Sequence, residues 1–133
     1  MKWEILHTIK LEDDGEGWLR GDPEIYFVTA SPKVGELTKE WLDNVNDEDV
    51  TYTVNRYMFT WDWTNYGDFY RLKVGEDDTG GLGNVKISYT GVTVTIDLGA
   101  DDEDLGSKII NKADDWGEFY YTGKVWFSIK YEE

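Results

Sequence analysis

The residues best suited to chemistry in this chain are its acids, and they come in clusters. Residues 99–107, GADDEDLGS, set four consecutive acids between glycines directly after the alternating run VTVTIDL. Residues 12–22 (EDDGEGWLRGD), 43–49 (DNVNDED), 75–83 (GEDDTGGLG) and 114–118 (DDWGE) are acidic loops of similar kind. Carboxylates held within ~4–6 Å of one another raise each other's pKa or force their loops apart unless a cation lies between them. Calcium suits such a place, because it takes about 6–8 oxygen ligands in flexible geometry. Zinc normally uses histidine or cysteine, and the chain has one histidine and no cysteine. The alternative is that the acids are solvated loop tips that keep a β-rich chain soluble and need no ligand.

The elements that must position these acids are strands. Tyr89-Thr-Gly-Val92 reads as a tight hairpin turn with Thr90 and Gly91 as its two-residue loop, since glycine takes the positive φ such loops need. That register sets Tyr89 opposite Val92, Ile87 opposite Val94, Val85 opposite Ile96 and Asn84 opposite Asp97, matching polarity at every pair. It predicts that the loops entering and leaving the hairpin meet at one end of a sheet. Glu76, Asp77 and Asp78 would then lie near Asp97, Asp101, Asp102 and Asp104.

Across the chain, β-branched and aromatic residues fill period-two patterns, which predicts an all-β protein. Strands are expected at 3–11, 24–30, 50–59, 68–74, 84–90, 92–98 and 119–131, the first two as a pair. The segment 35–44 (GELTKEWLDN) offers a modest helical pattern through Leu37, Trp41 and Leu42, with a loop as the alternative. About seven to eight short strands in 133 residues predict a single antiparallel β-sandwich domain over residues 1–133, C2-like or jelly-roll. Apolar residues make up 40% of the chain and aromatics 16%, so its acidity does not imply disorder. Twenty-eight acids against 13 bases give a formal charge of -15. That charge argues against nucleic acid or anionic membrane as a direct partner and for cations or basic proteins. No segment approaches the roughly 20 apolar residues that span a bilayer, so a soluble chain is expected.

Known calcium motifs fit poorly. Asp102-Glu-Asp104-Leu-Gly106 lacks the third oxygen ligand of an EF-hand loop, with Ala113 at its twelfth position. Gly80-Gly-Leu-Gly83 begins like a calcium-binding nonapeptide, but Val85 replaces its aspartate and nothing repeats. Two other stretches carry a better match. Gly21-Asp-Pro-Glu-Ile-Tyr-Phe27 follows a glycine-rich acidic loop, and Val92 to Gly106 (VTVTIDLGADDEDLG) is a strand ending in spaced aspartates and closing with Asp, Leu and Gly. In these the chain resembles the calcium-binding C2 domains, eight-stranded sandwiches whose ions sit in loops at one end. The resemblance implies calcium as cofactor, with Asp22, Asp13 or Asp14, Asp97, Asp104, and Asp101 or Asp102 as ligands. Gly99 stands where that family's strand-end pair has its second aspartate. Many members bind anionic lipid, but the matching loop tip here offers Trp18, Leu19 and Arg20, so direct membrane binding is not expected.

The segment Tyr57-Met-Phe-Thr-Trp-Asp-Trp-Thr-Asn-Tyr66 holds more rings than one strand face can bury. Exposed Trp61 and Trp63, flanked by Asp62, Asn65 and Asp68, would suit stacking on a sugar, with carboxylates taking its hydroxyls; the alternative is core packing. His7 shares the alternating face of Trp3, Ile5 and Ile9 and reads as a hydrogen-bonded, partly buried residue. Paired carboxylates could hydrolyse glycosides, but 28 acids single out no pair, and a non-enzymatic role is expected. The expected function is a calcium-binding interaction module; the alternatives are a carbohydrate-binding module with structural calcium and an acidic inhibitor or decoy docking on a basic protein surface.

Overall fold

In the computed structural model, residues 2–12, 24–77, 84–112, 114 and 117–132 are described. They form ten strands and one helical turn: β1 (Trp3–Leu11), β2 (Ile25–Ser31), β3 (Gly35–Trp41), β4 (Thr51–Thr60), α1 (Trp63–Tyr66), β5 (Phe69–Glu76), β6 (Lys86–Tyr89), β7 (Val94–Asp97), β8 (Glu103–Asn111), β9 (Phe119–Tyr121) and β10 (Val125–Glu132). One sheet runs β4-β1-β10-β9, a second β3-β2-β5-β8, and β6-β7 is a separate hairpin; every strand pair is antiparallel. The fold is an all-β sandwich.

The alternating segments became strands because each gives one apolar face to a shared interior. Leu6, Ile9 and Leu11 from β1, Phe27 from β2, Tyr70, Leu72 and Val74 from β5, and Phe127 and Ile129 from β10 form the main core between the four-stranded sheets. A smaller core lies on the far side of the second sheet, where Tyr26, Val28 and Ala30 pack against Val94 and Ile96 of the hairpin. The hairpin is thus a third layer, and every residue of β2 is buried.

Several expectations are corrected. β1 and β2 are not partners: they belong to opposite sheets and face each other across the core. Residues 35–41 form strand β3, neither helix nor loop, because hydrogen bonding to β2 outweighs a weak helical spacing. The stretch 99–107 is a loop only at its start, since β8 begins at Glu103. The run 119–131 is two strands joined by a turn at Thr122, whose Oγ1 accepts the N–H of Lys124 (3.3 Å) and of Val125 (3.1 Å). These differences raise the count from seven or eight to ten.

The hairpin register is also corrected. Lys86 pairs with Asp97, Ile87 with Ile96, Ser88 with Thr95 and Tyr89 with Val94, so the loop is Thr90 to Thr93 rather than two residues. Thr90 closes it: its N–H donates to the Thr93 carbonyl (3.1 Å) and its Oγ1 accepts from the Thr93 N–H (3.1 Å), with Gly91 at φ +96°. A two-residue slip keeps every side chain on its own face, so polarity matching could not distinguish the two registers.

An irregularity in β1 matters most for function. His7 is an extra residue against β10, where Leu6 pairs with Ile129 and Thr8 with Ser128. β4 answers with an extra residue of its own, Leu6 pairing with Arg56 and Thr8 with Thr53, and there Asn55 turns to φ +44°. The two bulged residues meet, His7 Nδ1 lying 2.7 Å from Asn55 Oδ1. Such a bulge exchanges the faces of the strand. Ile9 and Leu11 beyond it, and Leu6 before it, all turn into the core, and Glu4 therefore turns in as well.

Candidate functional site

At the end of the sandwich where β1 begins, the two sheets part around a cavity of about 330 Å³ lined by Lys2, Glu4, Trp61, Trp63, Asp114 and Tyr131, among others. Glu4 is its deepest acid, 6% exposed. Its Oε2 accepts from the Tyr70 hydroxyl at 3.0 Å, across the core from β5. Burial pushes the Glu4 carboxyl up from an ordinary 4.5 to about 7, opposed in part by the Tyr70 hydrogen bond and the Lys2 charge. Tyr70 is in turn pushed well up, by its own burial and then by the Glu4 charge.

Trp61 and Trp63, named from sequence, both line this cavity. Trp61 does two jobs: it packs edge-on against Tyr70 (ring centroids 5.1 Å apart) and borders the opening. Trp63 begins α1, a single turn capped by Asp62, whose Oδ1 accepts the Asn65 N–H at 3.2 Å, and ended by Gly67, whose N–H returns to the Trp63 carbonyl at 3.0 Å with φ +102°. Trp61 Nε1 donates to the Gly67 carbonyl at 3.0 Å, fixing the turn, and Trp63 is left 43% exposed. Two ammonium groups lie over rings at the rim. Lys112 Nζ is 5.6 Å from the Trp63 centroid and 3.0 Å from Asp68 Oδ1, and Lys2 Nζ is 4.5 Å from the Tyr131 centroid.

The second acid of the cavity is Asp114. Its Oδ2 accepts both the Asn111 N–H (2.9 Å) and the Tyr120 hydroxyl (3.0 Å), which fixes a carboxylate just beyond β8. Burial and this bond push the Tyr120 hydroxyl up. Sequence reasoning missed Glu4, Asp114 and Tyr131. Glu4 was hidden by the bulge at His7, and the 114–118 loop was noted for charge but not tied to Trp63.

The predicted calcium ligands that are described, Asp77, Asp97, Asp101, Asp102 and Asp104, lie toward the opposite end. Glu76 pairs with Glu103 and Ile25 with Glu76, so β2, β5 and β8 all have an end there, and Lys124, beside the end of β1, reaches Glu103 at 2.9 Å. Asp13, Asp14, Asp22 and Asp78 fall outside the described residues. The rest divide. Asp102, Asp77 and Asp104 are gathered about the Tyr26 hydroxyl, which donates to Asp102 Oδ2 at 2.7 Å; burial, that bond and these three charges push its pKa up. Asp77 is 5% exposed. Asp97 and Asp101 are exposed, Asp97 opposite Lys86.

Much of this negative charge is answered by protein. Asp104 Oδ2 meets Lys73 Nζ at 2.8 Å, its Oδ1 accepts the Gly106 N–H at 2.8 Å, and Asp102 takes the Tyr26 bond. Among the described residues, no group of three or more histidine, cysteine, aspartate or glutamate side chains could hold a metal ion. Among them, too, no helix is long and apolar enough to cross a membrane. Compared with known proteins, the chain matches no family model, no curated protein and no solved structure.

Proposed function

We propose that this β-sandwich is a carbohydrate-binding module whose site is the cavity between Trp61, Trp63 and Tyr131. One observation carries the reading: a cavity of about 330 Å³ walled by aromatic rings, with the carboxyl groups of Glu4 and Asp114 inside it. Rings give a sugar's C–H face something to stack on, and carboxylates take its hydroxyls, while the volume falls in the range of small-molecule sites, about 300–1,000 Å³. Trp63, half-exposed on a capped turn, is the platform, and Trp61 is the wall it leans on. The test is a glycan array followed by calorimetry on the oligosaccharides that bind. Trp63→Ala should weaken binding by roughly tenfold or more, the worth of one stacked ring. An unchanged Kd, or an array with no binders, ends the reading.

A second reading is a C2-like calcium-binding module with its site at the opposite end; the charge of Asp77, Asp102 and Asp104 gathered about the Tyr26 hydroxyl favours it, though these three do not by themselves form a metal site. Calcium there would order the acidic loops and add stability by mass action. Thermal unfolding in millimolar calcium, magnesium or chelator tests it: a calcium-selective rise in Tm, reduced in Asp102→Asn, is expected. No rise overturns this reading.

A further inference from the structure

We propose that the cavity is also a hydrolytic site, in which Glu4 is the proton donor and Asp114 the base for cleaving a glycosidic bond of the bound saccharide. The inference rests on the carbohydrate reading above. Glu4 is held on a strand rather than a loop, its Oε2 takes the Tyr70 bond, and the residue lines the cavity. Glutamine at this position would accept the same bond from Tyr70 with no charge to bury. What the carboxyl adds is a proton that can leave.

Asp114 is placed differently. It lies on a turn beyond β8, and both of its donors, the Asn111 N–H and the Tyr120 hydroxyl, point at Oδ2. In the proposal it is the proton acceptor. Two carboxyl groups in unlike surroundings on one cavity are the arrangement that divides acid from base in hydrolysis of acetals. Burial holds Glu4 near a pKa of about 7, where it is protonated often enough to donate and acidic enough to do so. The charged and titratable groups that face it are Lys2 just before its own strand, Tyr70 on β5, Tyr120 on β9, Tyr131 on β10, and Lys112 and Asp114 after β8.

In the reaction, Glu4 gives its proton to the leaving oxygen as the anomeric C–O bond breaks. Water forms the new bond at that carbon and loses its proton to the Asp114 carboxylate, which releases it to solvent, and solvent returns a proton to Glu4. The net change is addition of one water across the bond. Trp61 and Trp63 hold the ring while this happens.

The experiment uses an oligosaccharide that calorimetry has shown to bind the whole chain, and the dinitrophenyl glycoside of the same sugar. The wild-type protein should cleave both, with the rate on the oligosaccharide falling above about pH 7 as Glu4 loses its proton. Glu4→Gln should lose about 100-fold or more on the oligosaccharide, whose leaving group needs the proton, and less than about tenfold on the dinitrophenyl glycoside, which does not. Asp114→Asn should lower both. Binding without cleavage of either compound overturns the hydrolytic site and leaves the binding module standing. Equal losses on the two compounds in Glu4→Gln overturn the donor role. A chain that binds no saccharide overturns both.

Discussion

Replacing Glu4 with glutamine should make this protein more stable at neutral and alkaline pH and leave it nearly unchanged in acid. The Glu4 carboxyl has a folded pKa of about 7 against an ordinary 4.5, because it is buried against Tyr70. Between those values the native state holds a proton that the unfolded chain has released, so stability falls as pH rises. The stability associated with the protonated group is fully present below 4.5 and is lost as pH climbs through about 7. A difference of about 2.5 between the two values, at ~1.36 kcal/mol each, sets a ceiling of ~3.4 kcal/mol. Evaluated between about pH 5 and about pH 8, the change is ~2.5 kcal/mol, since titration is already under way at the first and nearly complete at the second. Other carboxylates also titrate, so the quantity to measure is the gap between variant and wild type, read from urea unfolding at several pH values. Glutamine keeps the size and the acceptor for Tyr70 but cannot ionise. The gap should open in favour of Glu4→Gln by ~2.5 kcal/mol over that interval. A gap that stays constant to within ~0.5 kcal/mol would refute the claim that Glu4 is buried as the neutral acid.

Two further substitutions probe the frame. At Gly75, an added Cβ would lie 2.7 Å from Leu98 Cδ1, 2.7 Å from Tyr26 Cζ and 2.8 Å from Tyr26 Oη, so Gly75→Ala should cost about 1–3 kcal/mol in urea unfolding and shift the amide resonances of the β6–β7 hairpin. At Asn55, with φ +44° in the bulge, Asn55→Gly should change stability by less than about 1 kcal/mol, while Asn55→Val should cost roughly 2 kcal/mol; equal effects would mean that the backbone there is not what the asparagine serves.

How much was legible in the sequence depended on where bulges fell. β2, β5 and β7 are regular enough for alternation to find them, and the sandwich follows from them. β8 was read as loop through Ser107 because its first residues are acids and because Gly106, at φ +92°, interrupts its pairing with β5. β3 was missed because its register shifts against β2 and its apolar residues fall at a helix-like spacing. The cleft was half legible. Trp61 and Trp63 announce themselves by excess of rings over available face, but Glu4 does not. Alternation carried back unbroken from Ile9 puts Trp3 inside and Glu4 in water; with the paired extra residues His7 and Asn55, Glu4 turns in and Trp3 is left exposed, while Ile5 is buried as alternation expects. The convergence of the acidic loops was inferred from a hairpin register that is two residues off; Asp77, Asp102 and Asp104 do gather, about a Tyr26 hydroxyl that the sequence did not point to, whereas Asp97 and Asp101 are exposed.

With seven buried residues in a row, β2 has no wet side. Most strands are held in place by the penalty of turning greasy residues outward, a safeguard that vanishes when both sides are dry. Shape must do the policing instead: the Tyr26 ring needs the notch left by Gly75, and its hydroxyl needs Asp102. A β2 that slid by one position would bring a phenylalanine to a berth cut for a phenol, and the misfit would be one of volume and a missing proton donor rather than of oil against water.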